Sequence, residues 1–218
     1  MAIIVVGGSG KSVGKTALVC GLLASLPEFH WTAVKVTRHQ HSERAPSMRR
    51  FSGARMGNHD SLQPHVFQNP IWEETVPGQA TDTARYLAAG AHRALLVASE
   101  DLSFPLDDLS AALGPGANLI FESNTIAAQL EPDLCLGVIG SGGPDMEIKP
   151  SFQPFMRRMD AAVVRPAENS FFRQTYPASP LFELENFEQL SPEVLTWVRG
   201  KLNPAFGSRA GTQLTPAP

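Results

Sequence analysis

Residues 3–16 read IIVVGGSGKSVGKT, and this stretch decides the fold. Its first four residues are all β-branched and apolar, which is typical of a strand buried on both faces of a parallel sheet. Glycines follow, and then the mostly apolar run 17–24 predicts a helix that ends near Pro27. The order of strand, glycine loop and helix therefore predicts the first unit of an α/β fold.

Similar short apolar runs recur along the chain and alternate with candidate helices. Such alternation predicts βαβ units, whose right-handed crossovers give a mainly parallel sheet with helices on both faces. The further strands are predicted at 33–36, 94–98, 118–121, 134–139 and 161–164, and the further helices at 83–89, 106–113 and 152–159. We therefore expect a three-layer αβα architecture.

The composition is that of a folded protein whose anion binding, if any, is local. Of 218 residues, 43% are apolar and 18% are charged, enough apolar residues for a core and too few charges for a disordered chain. The net charge of −3 excludes a positive field over the whole protein that would hold nucleic acid or anionic lipid. Cys20 and Cys135 lie in apolar runs, which favours reduced thiols and a cytoplasmic protein. No basic leader and no apolar stretch of about 18 residues is present, so we expect no membrane contact.

One domain is expected over residues 1–202. Within it, residues 38–79 show no convincing periodicity and predict an irregular flap or insertion that hides a short element. Ser191 can cap a last helix that has Pro192 in its first turn. The segment 203–218 is rich in Gly, Pro, Ser and Thr, so it is expected to be a flexible tail.

The glycine-rich segment has the composition and the position of a phosphate-binding loop. Backbone amides of such a loop point at phosphate oxygens, and the following helix adds its positive N-terminal end. Lys15 is expected on the β and γ phosphates of ATP or GTP, and Thr16 on a Mg²⁺ ion that bridges them. The spacing is one residue longer than usual, since Ser9 stands where the first glycine is expected and Gly8 lies one place earlier; a chance glycine turn is the alternative. The predicted nucleotide-binding residues are Gly8, Ser9, Gly10, Lys11, Ser12, Val13, Gly14, Lys15, Thr16, Ala17 and Arg38.

Two carboxylates are candidate metal ligands beside Thr16. Glu122 follows the apolar run 119–121, so a strand would deliver it next to the phosphates, where it could hold the metal or orient an attacking water. A capping or solvated acid at a strand end is the alternative. Asp82 is the second candidate ligand, although Thr81 and Thr83 beside it are equally consistent with a helix N-cap.

The phosphate-binding loop and three further segments together resemble the SIMIBI class of P-loop NTPases. The loop spacing is similar to dethiobiotin synthetase, whereas residues 33–39, 81–91 and 119–123 are similar to the molybdopterin-guanine dinucleotide biosynthesis adaptor protein. The resemblance implies a three-layer αβα P-loop NTPase fold, Mg²⁺-dependent ATP or GTP binding, a link to cofactor biosynthesis and a homodimer as one option. The sequence departs from the adaptor at Ser123, where glycine is usual, and Gly10 stands where partitioning ATPases of the class carry a signature lysine.

A basic segment follows the second predicted strand. Between residues 35 and 55 the only acid is Glu43, and the basic residues are Lys35, Arg38, Arg44, Arg49, Arg50 and Arg55. Ligands of open α/β sheets bind beyond the carboxyl ends of the strands, so Lys35 and Arg38 are candidates to clamp phosphates or a small anionic substrate. A solvated loop is the alternative for the more distant arginines. Phe51 is the only aromatic among them, which disfavours nucleic acid.

Four histidines, at positions 39, 41, 59 and 65, offer imidazole ligands for zinc. No cysteine accompanies them and their spacing is unlike common structural sites, so ordinary loop histidines are the favoured interpretation.

The residues support two main functional hypotheses. The first is a Mg²⁺-dependent P-loop protein that hydrolyses ATP or GTP, or transfers its terminal phosphate, with Lys15, Glu122 and Lys35 as catalytic residues. The alternative is a nucleotide-binding adaptor or switch that acts on a partner protein without significant turnover. A third option, an enzyme that activates a carboxylate as a mixed anhydride, fits Lys35 and the basic segment. ATP and GTP both stay open, because no Asn-Lys-x-Asp run appears.

Overall fold

The computed structural model describes residues 1–37, 46–51, 54–56, 62–64, 71–98, 109, 113–114, 116–140, 148–166 and 180–208, with the side chains of 54–56, 62–64 and 203–208 excepted. Arg38, Arg44 and the four loop histidines lie outside these residues, as does the side chain of Arg55. The predicted helix 106–113 falls almost wholly outside them too.

A nine-stranded sheet organises the protein, in the order β11-β10-β9-β1-β8-β2-β7-β6-β3. Its strands are β1 (Ile3–Gly8), β2 (Thr32–Thr37), β3 (Met48–Arg50), β6 (Ile71–Glu74), β7 (Arg93–Ala98), β8 (Leu119–Glu122), β9 (Leu134–Val138), β10 (Ala161–Val164) and β11 (Leu181–Glu183). Strands β4 (Ala54–Met56) and β5 (Leu62–Pro64) form a separate antiparallel pair. The strands from β11 to β7 in this order are all parallel, whereas β6 and β3 add antiparallel pairs at one edge.

The helices are α1 (Lys15–Ser25), α2 (Asp82–Ala88), α3 (Phe152–Met156) and α4 (Pro192–Ser208), with 3-10 turns at Pro27–Phe29 and Ile126–Ala128. Every strand predicted from an apolar run is present, and so are the helices predicted near residues 83 and 152. The predicted α/β class with a mainly parallel sheet is therefore confirmed.

Two apolar clusters cover the two faces of the sheet. Ile4 and Val6 of β1 face one cluster, which includes side chains of α1, α2 and α4. Ile3 and Val5 face the other, which includes Phe152 of α3. Because alternate residues of a strand point to opposite faces, the continuous apolar run of β1 fills both clusters, and each such buried side chain contributes roughly 1.5–3 kcal/mol. The result is the three-layer arrangement that the sequence predicts.

Within residues 38–79, where a short element hidden in an irregular segment is expected, the described residues form four short strands. Strands β3 and β6 extend the sheet within it, and β4 pairs with β5. Periodicity failed here because these strands are three or four residues long. In addition, β6 ends in two acids, Glu73 and Glu74, which are buried although their sequence looks like that of a solvated turn.

The last helix also exceeds its predicted boundary. Pro192 is its first residue, and the Val194 N–H donates to Ser191 Oγ at 3.4 Å, as expected for the cap. The helix continues to Ser208, so residues 203–208 are helical where a tail was expected. The composition of residues 203–218, which are rich in Gly, Pro, Ser and Thr, suggested the earlier boundary. Among the described residues, no helix is both long enough and apolar enough to cross a membrane.

Candidate functional site

The backbone of the loop after β1 has a conformation suited to binding an anion. Ser12 and Gly14 are left-handed, with φ of 57° and 110°. Gly14 is also the N-cap residue of α1, and it has no side chain to accept hydrogen bonds from the N–H groups of the first turn. Those N–H groups and the positive end of the helix are therefore free to meet an anion.

Close contacts explain why glycine occupies two positions of the loop. A Cβ atom at Gly14 would collide with the ring of Phe187, and one at Gly8 would lie 2.8 Å from Lys15 Cδ. Glycine at position 8 thus allows the close approach of the Lys15 side chain.

The base of the loop is fixed by hydrogen bonds from segments distant in sequence. Asn124 Oδ1 accepts from the Gly8 N–H at 2.7 Å, and Asn124 Nδ2 donates to the Gly8 carbonyl at 3.0 Å. The Ser9 N–H donates to Val138 O at 2.9 Å, and Ser9 Oγ accepts from the Gly140 N–H at 3.0 Å. Gly8 and Ser9, both predicted to bind nucleotide, therefore serve as anchors of the loop within the protein.

A cleft of about 700 Å³ opens over the loop at the carboxyl ends of the central strands. It brings together Lys15, Thr16, Lys35, Asp82 and Glu122, whereas Gly8, Ser9 and Gly10 do not line it. Its lining residues are Lys11, Ser12, Val13, Gly14, Lys15, Thr16, Ala17, Lys35, Val36, Thr37, Asp82, Arg85, Glu122, Ser123, Asn124, Thr125, Lys149 and Ser151.

Glu122 is the centre of the polar contacts in the cleft. Its side chain is 2% exposed, and its Oε2 atom accepts hydrogen bonds from Thr16 Oγ1 at 2.9 Å and from the Tyr86 hydroxyl. Its Oε1 atom accepts from Lys35 Nζ, which also lies 2.9 Å from Asp82 Oδ2. Strand β8 and helix α2 thus place two of the three predicted metal ligands, Glu122 and Asp82, around Lys35 of β2, and the third, Thr16 of α1, contacts Glu122.

The charged forms of Asp82 and Lys35 stabilise each other. Burial would raise the pKa of Asp82, but the ammonium of Lys35 outweighs burial and holds that pKa below its usual range. Burial would likewise lower the pKa of Lys35, but Glu122 and Asp82 together raise it. Both side chains are therefore charged at neutral pH.

Lys15 points back into its own loop. Its Nζ donates to the Gly10 carbonyl at 2.9 Å. Burial lowers the pKa of Lys15, and the nearby ammonium groups of Lys35 and Lys149 act in the same direction, while Glu122 acts against them. An ammonium that is desolvated and surrounded by other cations gains a favourable partner when an anion enters the cleft.

Asp82 and Thr81 divide the two roles that the sequence left open. Thr81 is the N-cap of α2, and its Oγ1 accepts from the Ala84 N–H at 3.0 Å. Asp82 is the first residue of the helix, and its carboxylate reaches Lys35. Asp82 is thus available to the cleft because its neighbour caps the helix.

Tyr86 was missed by sequence reasoning. It lies four residues after Asp82, so the same face of α2 carries both side chains. Burial first and the charge of Glu122 second raise the pKa of Tyr86 well above its usual value, so its hydroxyl stays protonated and donates to Glu122. The spacing of four from Asp82 was the available signal.

The chemistry of these donors fits a small, hard divalent cation. Thr16 supplies a hydroxyl oxygen, and Asp82 and Glu122 supply carboxylate oxygens, the ligands that Mg²⁺ prefers. Within the described part of the chain, no group of three or more His, Cys, Asp or Glu side chains is placed to hold a metal. Mg²⁺ usually takes only one or two carboxylates and completes its ligands with phosphate oxygens and water, so a pair of acids beside a phosphate loop is sufficient.

The described basic residues of the segment 35–55 lie in two different parts of the structure. Lys35 lies in the cleft, but Arg49 and Arg50 lie on β3 at the edge of the sheet, away from it. The predicted binding residue Arg38 lies outside the described residues. The structure adds Arg85 and Lys149 to the cleft, two cations that the loop motif does not include.

Comparisons with known proteins identify neither a family nor a function for the chain. Neither a protein family nor a curated protein matches the chain. Among solved structures, the chain is similar to the "apo" form of LpxK from Aquifex aeolicus in complex with ATP, with 18% identity and a TM-score of 0.48. That match covers 94% of this chain and 68% of the other. The function must therefore be inferred from the cleft itself.

Proposed function

We propose that the protein binds a nucleoside triphosphate with Mg²⁺ and hydrolyses it or transfers its terminal phosphate. One observation carries the proposal. The loop with two left-handed residues and the uncapped start of α1 lie in the same cleft as a lysine and a hydroxyl–carboxylate pair. ATP and GTP both fit. The segments that resemble the molybdopterin-guanine dinucleotide adaptor suggest a place in cofactor biosynthesis.

Each side chain has a distinct task in this proposal. The amides of residues 11–17 bind the phosphates, and Lys15 leaves the Gly10 carbonyl to neutralise charge that develops on the transferred group. Thr16, Asp82 and Glu122 hold the metal, which when bound offsets phosphate charge. Glu122 also orients the attacking water or the acceptor, and Lys35 lies beside it to stabilise the terminal phosphate.

Nucleotide titrations test the proposal. A fluorescent ATP or GTP analogue is titrated into the native chain and into Lys15→Ala, each with and without Mg²⁺. We expect Lys15→Ala to weaken binding by roughly 100-fold, because it removes a charge-assisted contact of about 1.5–3 kcal/mol from a desolvated cleft. Lys201→Ala is the matched control, since Lys201 lies on α4 beside Asp160 and outside the cleft. Equal binding by the native chain and Lys15→Ala would contradict the proposal.

A second function, a nucleotide-dependent switch without significant turnover, is favoured by one feature. Glu122 already accepts hydrogen bonds from Thr16, Lys35 and Tyr86, which leaves little capacity to activate a water. Phosphate release separates the two functions. Release that Glu122→Gln abolishes supports the enzyme, whereas tight binding with no release supports the switch.

A further inference from the structure

Lys35 contacts the carboxylate oxygen atoms that a divalent metal would bind. Its Nζ contacts Glu122 Oε1 and lies 2.9 Å from Asp82 Oδ2. Its side chain is 15% exposed, so few water molecules can take over these contacts. An ammonium and a divalent cation bound at the same two carboxylates compete for the same oxygens.

The charges show what must follow when the metal binds. Two carboxylates and one ammonium leave an excess of one negative charge; a divalent cation turns this into an excess of one positive charge. Lys35 would then lose its partners and face a divalent cation in a poorly hydrated place, which is unfavourable unless an anion is near. Two other cations of the cleft have different direct partners: the Arg85 guanidinium lies 2.6 Å from Glu188, and Lys15 Nζ donates to the Gly10 carbonyl. Lys35 is thus the cation that contacts both carboxylates.

We propose that Lys35 is an exchangeable counter-ion: it neutralises Asp82 and Glu122 in the metal-free protein and moves to an anion when a divalent cation takes their oxygens. This rests on the proposed function, and the anion is the terminal phosphate or an anionic group of the acceptor. Metal and anion then bind with positive coupling, since each removes a cost of binding the other.

The exchange predicts effects of opposite sign for one substitution. In Lys35→Met the competitor is gone, so a divalent cation alone binds more tightly. The same variant has lost the cation that moves to the anion, so nucleotide binding in the presence of metal becomes weaker. A lysine that merely supports the fold would weaken both or change neither.

The experiment uses Mn²⁺ as the probe, because free Mn²⁺ is measured directly by electron paramagnetic resonance. Mn²⁺ is titrated into the full chain without nucleotide, and a non-hydrolysable ATP or GTP analogue is then titrated at saturating Mn²⁺. We expect Lys35→Met to bind Mn²⁺ alone roughly tenfold more tightly and the analogue roughly tenfold more weakly, the usual size of coupling between two ligands.

Three further variants make the outcome decisive. Lys35→Gln repeats the test if the methionine variant does not fold, and Lys35→Arg keeps the charge and should keep Mn²⁺ affinity near the native value. Lys201→Met removes a lysine outside the cleft and should change neither titration.

Unchanged or weaker Mn²⁺ binding in both neutral variants overturns the exchange, and so does an absence of Mn²⁺ binding in every variant. The proposed function has a separate test, since it fails only if Lys15→Ala binds nucleotide as the native chain does.

Discussion

Two clusters of acids and cations lie on the same sheet and differ in their ratio of charges. In the cleft, Asp82 and Glu122 share Lys35. At the sheet edge, a single acid, Glu73 of β6, is shared by Arg49 of β3 and Arg93 of β7. In the cleft cluster two carboxylates share one directly paired cation, whereas in the edge cluster one carboxylate is shared by two cations.

In the edge cluster, arginines already pair with both carboxylate oxygens of the acid. Arg49 donates to Glu73 Oε2 through both Nε and Nη2, at 3.0 and 2.7 Å, and Arg93 Nε donates to Oε1 at 2.8 Å. The Arg93 guanidinium also lies 4.6 Å from the centre of the Phe51 ring. Both carboxylate oxygens are satisfied by cations, so the cluster ties three strands together and cannot take a metal. The difference teaches that the number of carboxylates for each directly paired cation, not the presence of charged groups, distinguishes the cleft cluster from the edge cluster.

The largest expected effect is on the cleft cluster. Glu122→Gln keeps the size of the side chain but removes its charge, so we expect Mg²⁺-dependent nucleotide binding to fall by at least about 100-fold. Even the outer partners of metal ligands change metal affinity by roughly 10–100-fold. Nucleotide titration at rising Mg²⁺ measures it. Glu73→Gln is the matched control and should bind normally; an unchanged Mg²⁺ dependence in Glu122→Gln would contradict the role of Glu122.

The next largest effect is expected from a substitution that disrupts the edge cluster. Glu73→Gln leaves two arginines facing a neutral amide, so the free energy of unfolding should fall by about 1–3 kcal/mol, measured by urea denaturation. Glu131→Gln is the control, because the Glu131 side chain is 62% exposed and its pair with Arg158 should contribute less than about 1 kcal/mol. Equal losses in both variants would show that the edge cluster has no special role.

Acid titration sharpens the same comparison. Burial would raise the pKa of Glu73, but Arg93 and Arg49 outweigh burial and hold it below its ordinary value of 4.5. Because the folded-state pKa is the lower one, this stabilisation is complete above pH 4.5 and is lost as the pH falls through the folded-state pKa. Glu73→Gln should therefore lose less stability than the native chain on acidification below pH 4.5. Parallel acid profiles would contradict this.

A smaller effect is expected from Tyr86→Phe. The change removes one donor to Glu122 and little volume, so we expect a loss of about 1 kcal/mol of stability. We expect a loss of up to roughly tenfold in Mg²⁺ affinity, because Glu122 is then less firmly oriented. Calorimetric unfolding and Mg²⁺ titration measure the two effects. A loss of stability with no change in Mg²⁺ affinity would show that Tyr86 serves the fold only.

The smallest effect concerns the thiols, which report whether the core stays closed. Cys20 and Cys135 are buried and free, and burial raises their pKa to about 11 and about 12. Thiolates are the reactive form, so at pH 8 we expect almost no reaction with a disulfide reagent in the native chain or in Glu122→Gln. Glu73→Gln should react slightly faster because its unfolded population is larger. Fast reaction of Glu122→Gln would mean that the cleft cluster also supports the core.

The sequence predicts the parts that local patterns determine. The run 3–16 is enough to place β1, the loop and α1, and the apolar runs place the other parallel strands. Strand β6 was not predicted because the burial of Glu73 depends on its pairing with Arg49 and Arg93, which are distant in sequence.

The candidate site divides in the same way. Lys15 and Thr16 follow from the loop motif, Glu122 from a strand end, Asp82 from the start of a predicted helix and Lys35 from the basic segment. The cleft brings all five together. Asn124 could not be assigned, because its two hydrogen bonds to Gly8 span 116 residues of sequence. Such contacts depend on tertiary proximity, which a periodic pattern does not contain.

The place of β1 at the middle of the sheet has a consequence for how the chain is made. Its hydrogen-bonded neighbours are β8 and β9, which begin at Leu119 and Leu134. During synthesis β1 is therefore apolar and unpaired on both sides until β8 and β9 have been made. An exposed strand of this kind pairs readily with other chains, so β1 needs to be shielded until its two partner strands have been made.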